Sequence, residues 1–134
     1  MTRRLLGIVA FIGLTAIAVP TFAHHALHAV YDTSKRVTFT GTLTKVAMIN
    51  PHVRWFFDEK KPDGTVVKWE VSGAGAGVLR NAGLSRAWKV GDTYTVVLAP
   101  ARDGSPLGRV VTFTFPDGKV VTLFHEDPKS PFNQ

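Results

Sequence analysis

Along residues 37–44 the chain alternates without a fault. Val37, Phe39, Gly41 and Leu43 take one phase, and Thr38, Thr40, Thr42 and Thr44 take the other. A period of two sends the two sets to opposite faces of an extended chain, and β-branched threonine suits a pleated surface. The pattern predicts a long first strand. Its phase slips at Lys45, after which Val46 and Met48 are the apolar positions. A bulge there would turn the strand around the corner of a barrel.

The same period recurs downstream. Asn50-Pro51 marks a turn. Val53, Trp55 and Phe57 then alternate with His52, Arg54, Phe56 and Asp58, which predicts a second strand. Pro62-Asp63-Gly64-Thr65 is a tight turn. In the third strand Val67, Trp69 and Val71 alternate with Val66, Lys68 and Glu70, so Trp55 and Trp69 are both in the core phase. The small residues of 72–77 let a short helix, residues 76–82, pack closely, with Gly83 as its stop. Ser85 is placed to cap one further helical turn, 86–89, that would bury Trp88. Residues 93–99, 108–115 and 120–124 read as strands four to six, separated by Asp-Gly turns. The expected fold is all-β: a small OB-like antiparallel barrel of five to six strands, with one short helix between strands three and four. A generic antiparallel barrel or sandwich is the competing architecture.

The first 23 residues have a different character. Arg3 and Arg4 precede a charge-free, mostly apolar run from Leu5 to Val19, then Pro20 and the small residues of Thr21-Phe22-Ala23. That order is the order of a secretory signal peptide. The run is about 15 residues, shorter than the roughly 20 that a spanning helix needs. The twin-arginine pattern is incomplete, which favours the general secretory route. The expected organisation is a signal peptide over 1–23, a mature N-terminal segment over 24–36, the barrel over 37–124 and a loose tail over 125–134. A periplasmic or secreted location follows, with no membrane span after cleavage. Without Arg3 and Arg4 the chain keeps 14 Lys and Arg against 10 Asp and Glu, interspersed rather than blocked. Such a surface offers no polyanion track, and export makes nucleic acid an improbable partner. There is no cysteine, so disulfides, thiolate metal sites and thiol catalysis are excluded.

Several pieces together resemble a family of small secreted bacterial proteins of unknown function. They are His24-His25, Tyr31-Asp32, the Thr-rich strand that leads into Ile49-Asn50-Pro51-His52, Lys68-Trp69-Glu70, the stretch from Arg86 to Asp92, Ala99-Pro100-Ala101-Arg102-Asp103-Gly104 and Asp117-Gly118-Lys119. Asn-Pro-His after a Thr-rich strand is the most specific of them. His28, and Ala87 before Trp88, depart from the pattern. The resemblance implies an exported β-rich domain and no particular activity.

The histidines carry the chemistry. With cleavage after Ala23, His24 would present its α-amine and imidazole to one metal. His25 would add a second imidazole, and His28 and His52 could join. Nitrogen-rich donor sets of this kind suit Cu(II) best, then Ni(II) or Zn(II), so copper is the cofactor to test. Met48 could add a soft ligand, and Asp32 or Asn50 could orient an imidazole through its second nitrogen. The plainer reading makes His24-His25 a polar start and has His52 bonding to backbone near its turn. The rival site is metal-free: a barrel face with Asn50, Arg54, Phe56 and Lys68 that takes a small ligand or a periplasmic protein. Catalysis is not expected. No Gly-x-Ser-x-Gly elbow, no His-Glu-x-x-His and no P-loop ending are present, and the Gly-rich 72–77 lacks a βαβ frame.

Overall fold

The structure is a computed structural model that describes residues 28–124 and Phe132. The expected signal peptide and most of the tail lie outside the described residues. The chain falls into two compact units, Met1–Val30 and Tyr31–Gln134. Of the first, residues 28–30 are described, and they are helical. The second holds all the strands: β1 (Val37–Ala47), β2 (Arg54–Lys60), β3 (Val66–Ser72), β4 (Thr93–Pro100), β5 (Leu107–Thr114) and β6 (Val120–Thr122). A six-residue helix, α1 (Ala76–Asn81), lies between β3 and β4.

The sheet order is β3-β2-β1-β4-β5-β6, and β3 also pairs with β5. That extra pairing closes five strands into a barrel of OB topology, with β6 added outside the ring. The closing seam is parallel and short, with Glu70, Val71 and Ser72 opposite Leu107, Gly108 and Arg109. Every other pairing is antiparallel. β5 can serve three neighbours because its free edge is divided. Residues 107–109 face β3, and residues 112–114 face β6.

The predicted slip in β1 is a real irregularity. The β1–β2 register shifts between Leu43 and Lys45. Val37 to Thr42 pair with β4, and Thr42 to Ala47 pair with β2, so one strand serves both neighbours by coiling at the bulge. Gly83 ends the helix segment with φ +72°, as a C-terminal glycine does. The expected helical turn over 86–89 is absent. Trp88 is buried all the same, held in an irregular segment where Lys89 N donates to Tyr94 Oη at 2.8 Å.

The core is aromatic at its centre. Trp55 is fully buried, with its ring 4.9 Å from Trp88 and 5.1 Å from Phe113. Neither the Trp55 nor the Trp88 indole N–H finds an acceptor. Trp69 is in phase with Trp55 but only half-buried. It stacks on Phe39 at 4.8 Å and donates Nε1–H to Glu59 Oε2 at 2.8 Å. An indole at the margin of a core keeps its apolar face inside and its N–H on a polar partner.

Candidate functional site

Alternation along β2 and β3 builds an outer face as well as a core. Trp55 and Phe57 point inward, which leaves Arg54, Phe56 and Asp58 outward. The register sets Phe56 opposite Glu70 and Asp58 opposite Lys68. With Thr44 and Lys45 of β1 and Leu107 of β5, these residues line an open groove of about 420 Å³. Small-molecule sites occupy roughly 300–1,000 Å³. Lys68 Nζ donates to both Asp58 oxygens, at 3.1 and 3.3 Å. Arg54 Nη1 lies 3.2 Å from Glu70 Oε1, and Lys45 Nζ lies 5.4 Å from the Phe56 ring centre. Exposed pairs of this kind add little stability. Their effect is to make the face an alternation of donors and acceptors in which Arg54 and Lys68 are both already matched.

Of the residues the sequence suggests for this face, Phe56 and Lys68 line the groove together. Arg54 lies one step along β2 and is tied to Glu70. Asn50 does not line it; its Oδ1 accepts from Gly77 N at 3.4 Å in the β1–β2 loop. Sequence reasoning missed Lys45, Asp58, Glu70 and Leu107. Asp58 and Glu70 share the outward phase of Arg54 and Lys68, so the alternation could have found them.

His52 occupies a second polar cluster. The loops on either side of β2–β3 are stapled together: Val53 N donates to Ala74 O, and Gly73 N donates to Val53 O, each at 3.0 Å. This brings His52 Nδ1 within 3.0 Å of Gly73 O and 3.2 Å of Arg109 Nη1. Arg109 projects from the β3–β5 seam, and its Nη1 donates to Gly73 O at 2.8 Å and its Nη2 to Phe132 O at 3.3 Å. It is 2% exposed, and among the described residues no carboxylate pairs with it. Burial lowers its pKa from the usual guanidinium value, yet an arginine side chain stays protonated in proteins. Beside it, Tyr31 Oη and Ser72 Oγ lie 3.1 Å apart. Arg109 escaped the sequence reading because a lone arginine on the outer phase of a strand looks solvated.

Burial first, and the Arg109 charge second, hold the His52 pKa below its usual 6.5, against the opposing hydrogen bond to Gly73 O. The imidazole is therefore neutral in the folded protein at pH 7. Its consequence for stability has a definite sign. Below pH 6.5 the unfolded chain gains a proton at His52 that the folded chain resists, so stability falls as the pH drops through this range. In metal-free buffer, the thermal midpoint of the wild type is expected to fall between pH 7 and 5 more than that of His52→Gln. Parallel curves would disprove the assignment. A separate loss comes lower, because hydrogen bonds from Ser34 and the neighbouring Lys35 hold Asp32 at about 2 instead of 3.8. Asp32 is thus committed to its own turn, with Ser34 Oγ at 2.6 Å.

For metal ligation, His24 and His25 lie outside the described residues, and His28 belongs to the other unit. Met48 packs against the core. Among the described residues no three His, Asp or Glu side chains converge on a metal position. Among them, too, no helix is long and apolar enough to cross a membrane. Compared with known families, residues 11–110 match the one described as "Family of unknown function (DUF6152)". No curated protein matches the chain.

Proposed function

Because the chain belongs to DUF6152, a family of unknown function, its role must be argued from its own geometry, and we propose that it is a small exported binding module using the outer face of β2 and β3. The observation that carries this is the groove of about 420 Å³ centred on Phe56 and Lys68, a partly exposed aromatic ring inside a rim of donors and acceptors. OB barrels commonly use this face for ligands. In an NMR fragment screen, amide shifts are expected to concentrate at residues 44–45, 56–58 and 68–70. Phe56→Ala is expected to weaken any hit at least tenfold, about 1.4 kcal/mol, without lowering the thermal midpoint. Hits that map elsewhere on the barrel would dismiss the groove.

Export rests on the leading segment, whose charge, apolar run and small-residue exit follow the order of a cleavable signal. A second reading has copper held by the mature N-terminus, through its α-amine and the imidazoles of His24, His25 and His28. It draws on the three histidines among the first five residues that cleavage after Ala23 would expose, a nitrogen-rich donor set that suits Cu(II). Mass spectrometry of the exported protein should find a terminus at His24. Copper titration should then lose affinity when one extra residue precedes His24. Equal affinity for both forms would remove the α-amine from the site.

A further inference from the structure

The face that lines the groove also restricts what can bind there, and we propose, building on the β2–β3 reading above, that its ligand is an uncharged sugar ring, as in a neutral oligosaccharide. The first restriction is backbone. β2 is paired by β3 along its length and by β1 over Arg54–Asp58, and β3 is paired by β5 over Glu70–Ser72. At Phe56 and Glu70 both edges are therefore taken and no peptide can add as a strand, so a ligand over these two residues meets side chains alone.

The second restriction is charge. Arg54 already faces Glu70 at 3.2 Å, and Lys68 faces Asp58 at 3.1 Å. A phosphate or other anion would have to break these pairs, or draw Lys45 off the Phe56 ring, to gain one of its own. Single strands of nucleic acid are held where cations stand unmatched along a groove. Here Arg54 and Lys68 are paired, and Lys45 lies over the Phe56 ring. A carboxylate accepts hydrogen bonds and an ammonium or guanidinium donates them. A sugar hydroxyl does both, so a ring of hydroxyls can bridge Asp58 and Lys68, or Arg54 and Glu70, without displacing either charge.

The third is the platform. Phe56 stands between the two ion pairs and opposite Glu70. The weakly electropositive C–H face of a pyranose is drawn to the ring's negative face by the same quadrupole that attracts Lys45 Nζ, 5.4 Å from its centre. Leu107 adds an apolar wall at one side. An apolar floor with an alternating rim of donors and acceptors matches a molecule that is apolar on its faces and hydroxylated around its edge.

The test titrates the ¹⁵N-labelled purified protein separately with chitotriose, cellotriose and maltotriose. Hexathymidylate serves as an anionic probe and trialanine as a zwitterionic peptide probe. At least one sugar is expected to shift the amides of Phe56, Lys68 and Glu70. Its affinity should change less than about twofold between low and high salt, because no counterions are released. Phe56→Ala should lose about tenfold or more in affinity, and Phe56→Trp should retain binding. If none of the sugars binds, or if only hexathymidylate or trialanine shifts those amides, the sugar assignment is overturned; in the second case the groove itself stands. If a sugar binds but shifts His52 and Arg109 in place of Phe56, both the assignment and the groove fall.

Discussion

Replacing Trp55 by alanine is expected to cost about 3–5 kcal/mol, the range for deleting a buried large aromatic side chain. Small domains hold roughly 5–15 kcal/mol in all, so at least about a fifth of the stability would go, and all of it at the low end of that range. The chain has no cysteine and therefore no disulfide to hold the barrel once its centre is hollow. Trp55 is fully buried, and its ring meets both Trp88 and Phe113. Urea denaturation should show the loss as a lower midpoint with a similar slope. Two controls set the scale. Trp69→Ala should cost less, because that ring is half-buried, although its bond to Glu59 goes too. Trp55→Phe should also cost less, because the indole N–H it removes has no acceptor, and an unsatisfied buried donor carries a penalty of about 1–3 kcal/mol. If Trp55→Ala is no worse than Trp69→Ala, the centre of the core has been misplaced.

The second large effect is expected at Gly75, from one added methyl group. A Cβ at this position would lie 2.7 Å from the Pro51 carbonyl oxygen and 2.9 Å from Asn50 Oδ1. Its backbone, at φ −69° and ψ 157°, is open to any residue, so the obstacle is space alone. The Pro51 oxygen is main chain and cannot swing aside as a side chain would. Gly75→Ala is therefore expected to push the 50–52 loop away and cost about 1–3 kcal/mol. The displacement should also draw His52 out of its burial beside Arg109 and so move its pKa back toward 6.5, which NMR titration can follow. Gly77, two residues on, meets nothing within 4 Å. Gly77→Ala adds helix propensity in α1 and should be neutral, or stabilising by about 0.5–1 kcal/mol. Equal behaviour of the two variants would contradict the packing described for this loop.

The two positions look alike in the sequence, since both are glycines in one Gly-Ala repeat. Only the approach of the β1–β2 loop, where Ala76 N donates to Ile49 O at 3.3 Å, separates them. The same limit applies across the molecule. Alternation and turn residues act over a few positions, so the strands, the bulge after Leu43, the turns and the Gly83 stop were all legible. The expectation of a helical turn over 86–89 failed because burial of Trp88 among Trp55, Phe113 and Phe115 overrides a weak local capping preference.

For the candidate site, the phase of β2 and β3 sufficed to put Arg54, Phe56 and Lys68 on one face. It could not show that Arg54 and Lys68 are each matched by a carboxylate, because that depends on which residue of the next strand comes opposite. The charge state of the face, and so the class of ligand it suits, belongs to the register.

What the chain determines by itself is thus its alternation: an all-β domain, its order of elements and the two faces of each strand. What the tertiary structure decides is closure and its consequences. The parallel β3–β5 seam brings Ser72 level with Arg109. The stapled loops bring Gly73 O to both Arg109 and His52, so that a residue that reads as solvated is buried and a histidine that reads as a surface ligand is held neutral. Contacts between residues 21 to 57 positions apart leave no local pattern, since their energy depends on the approach of segments that only the closed barrel brings together.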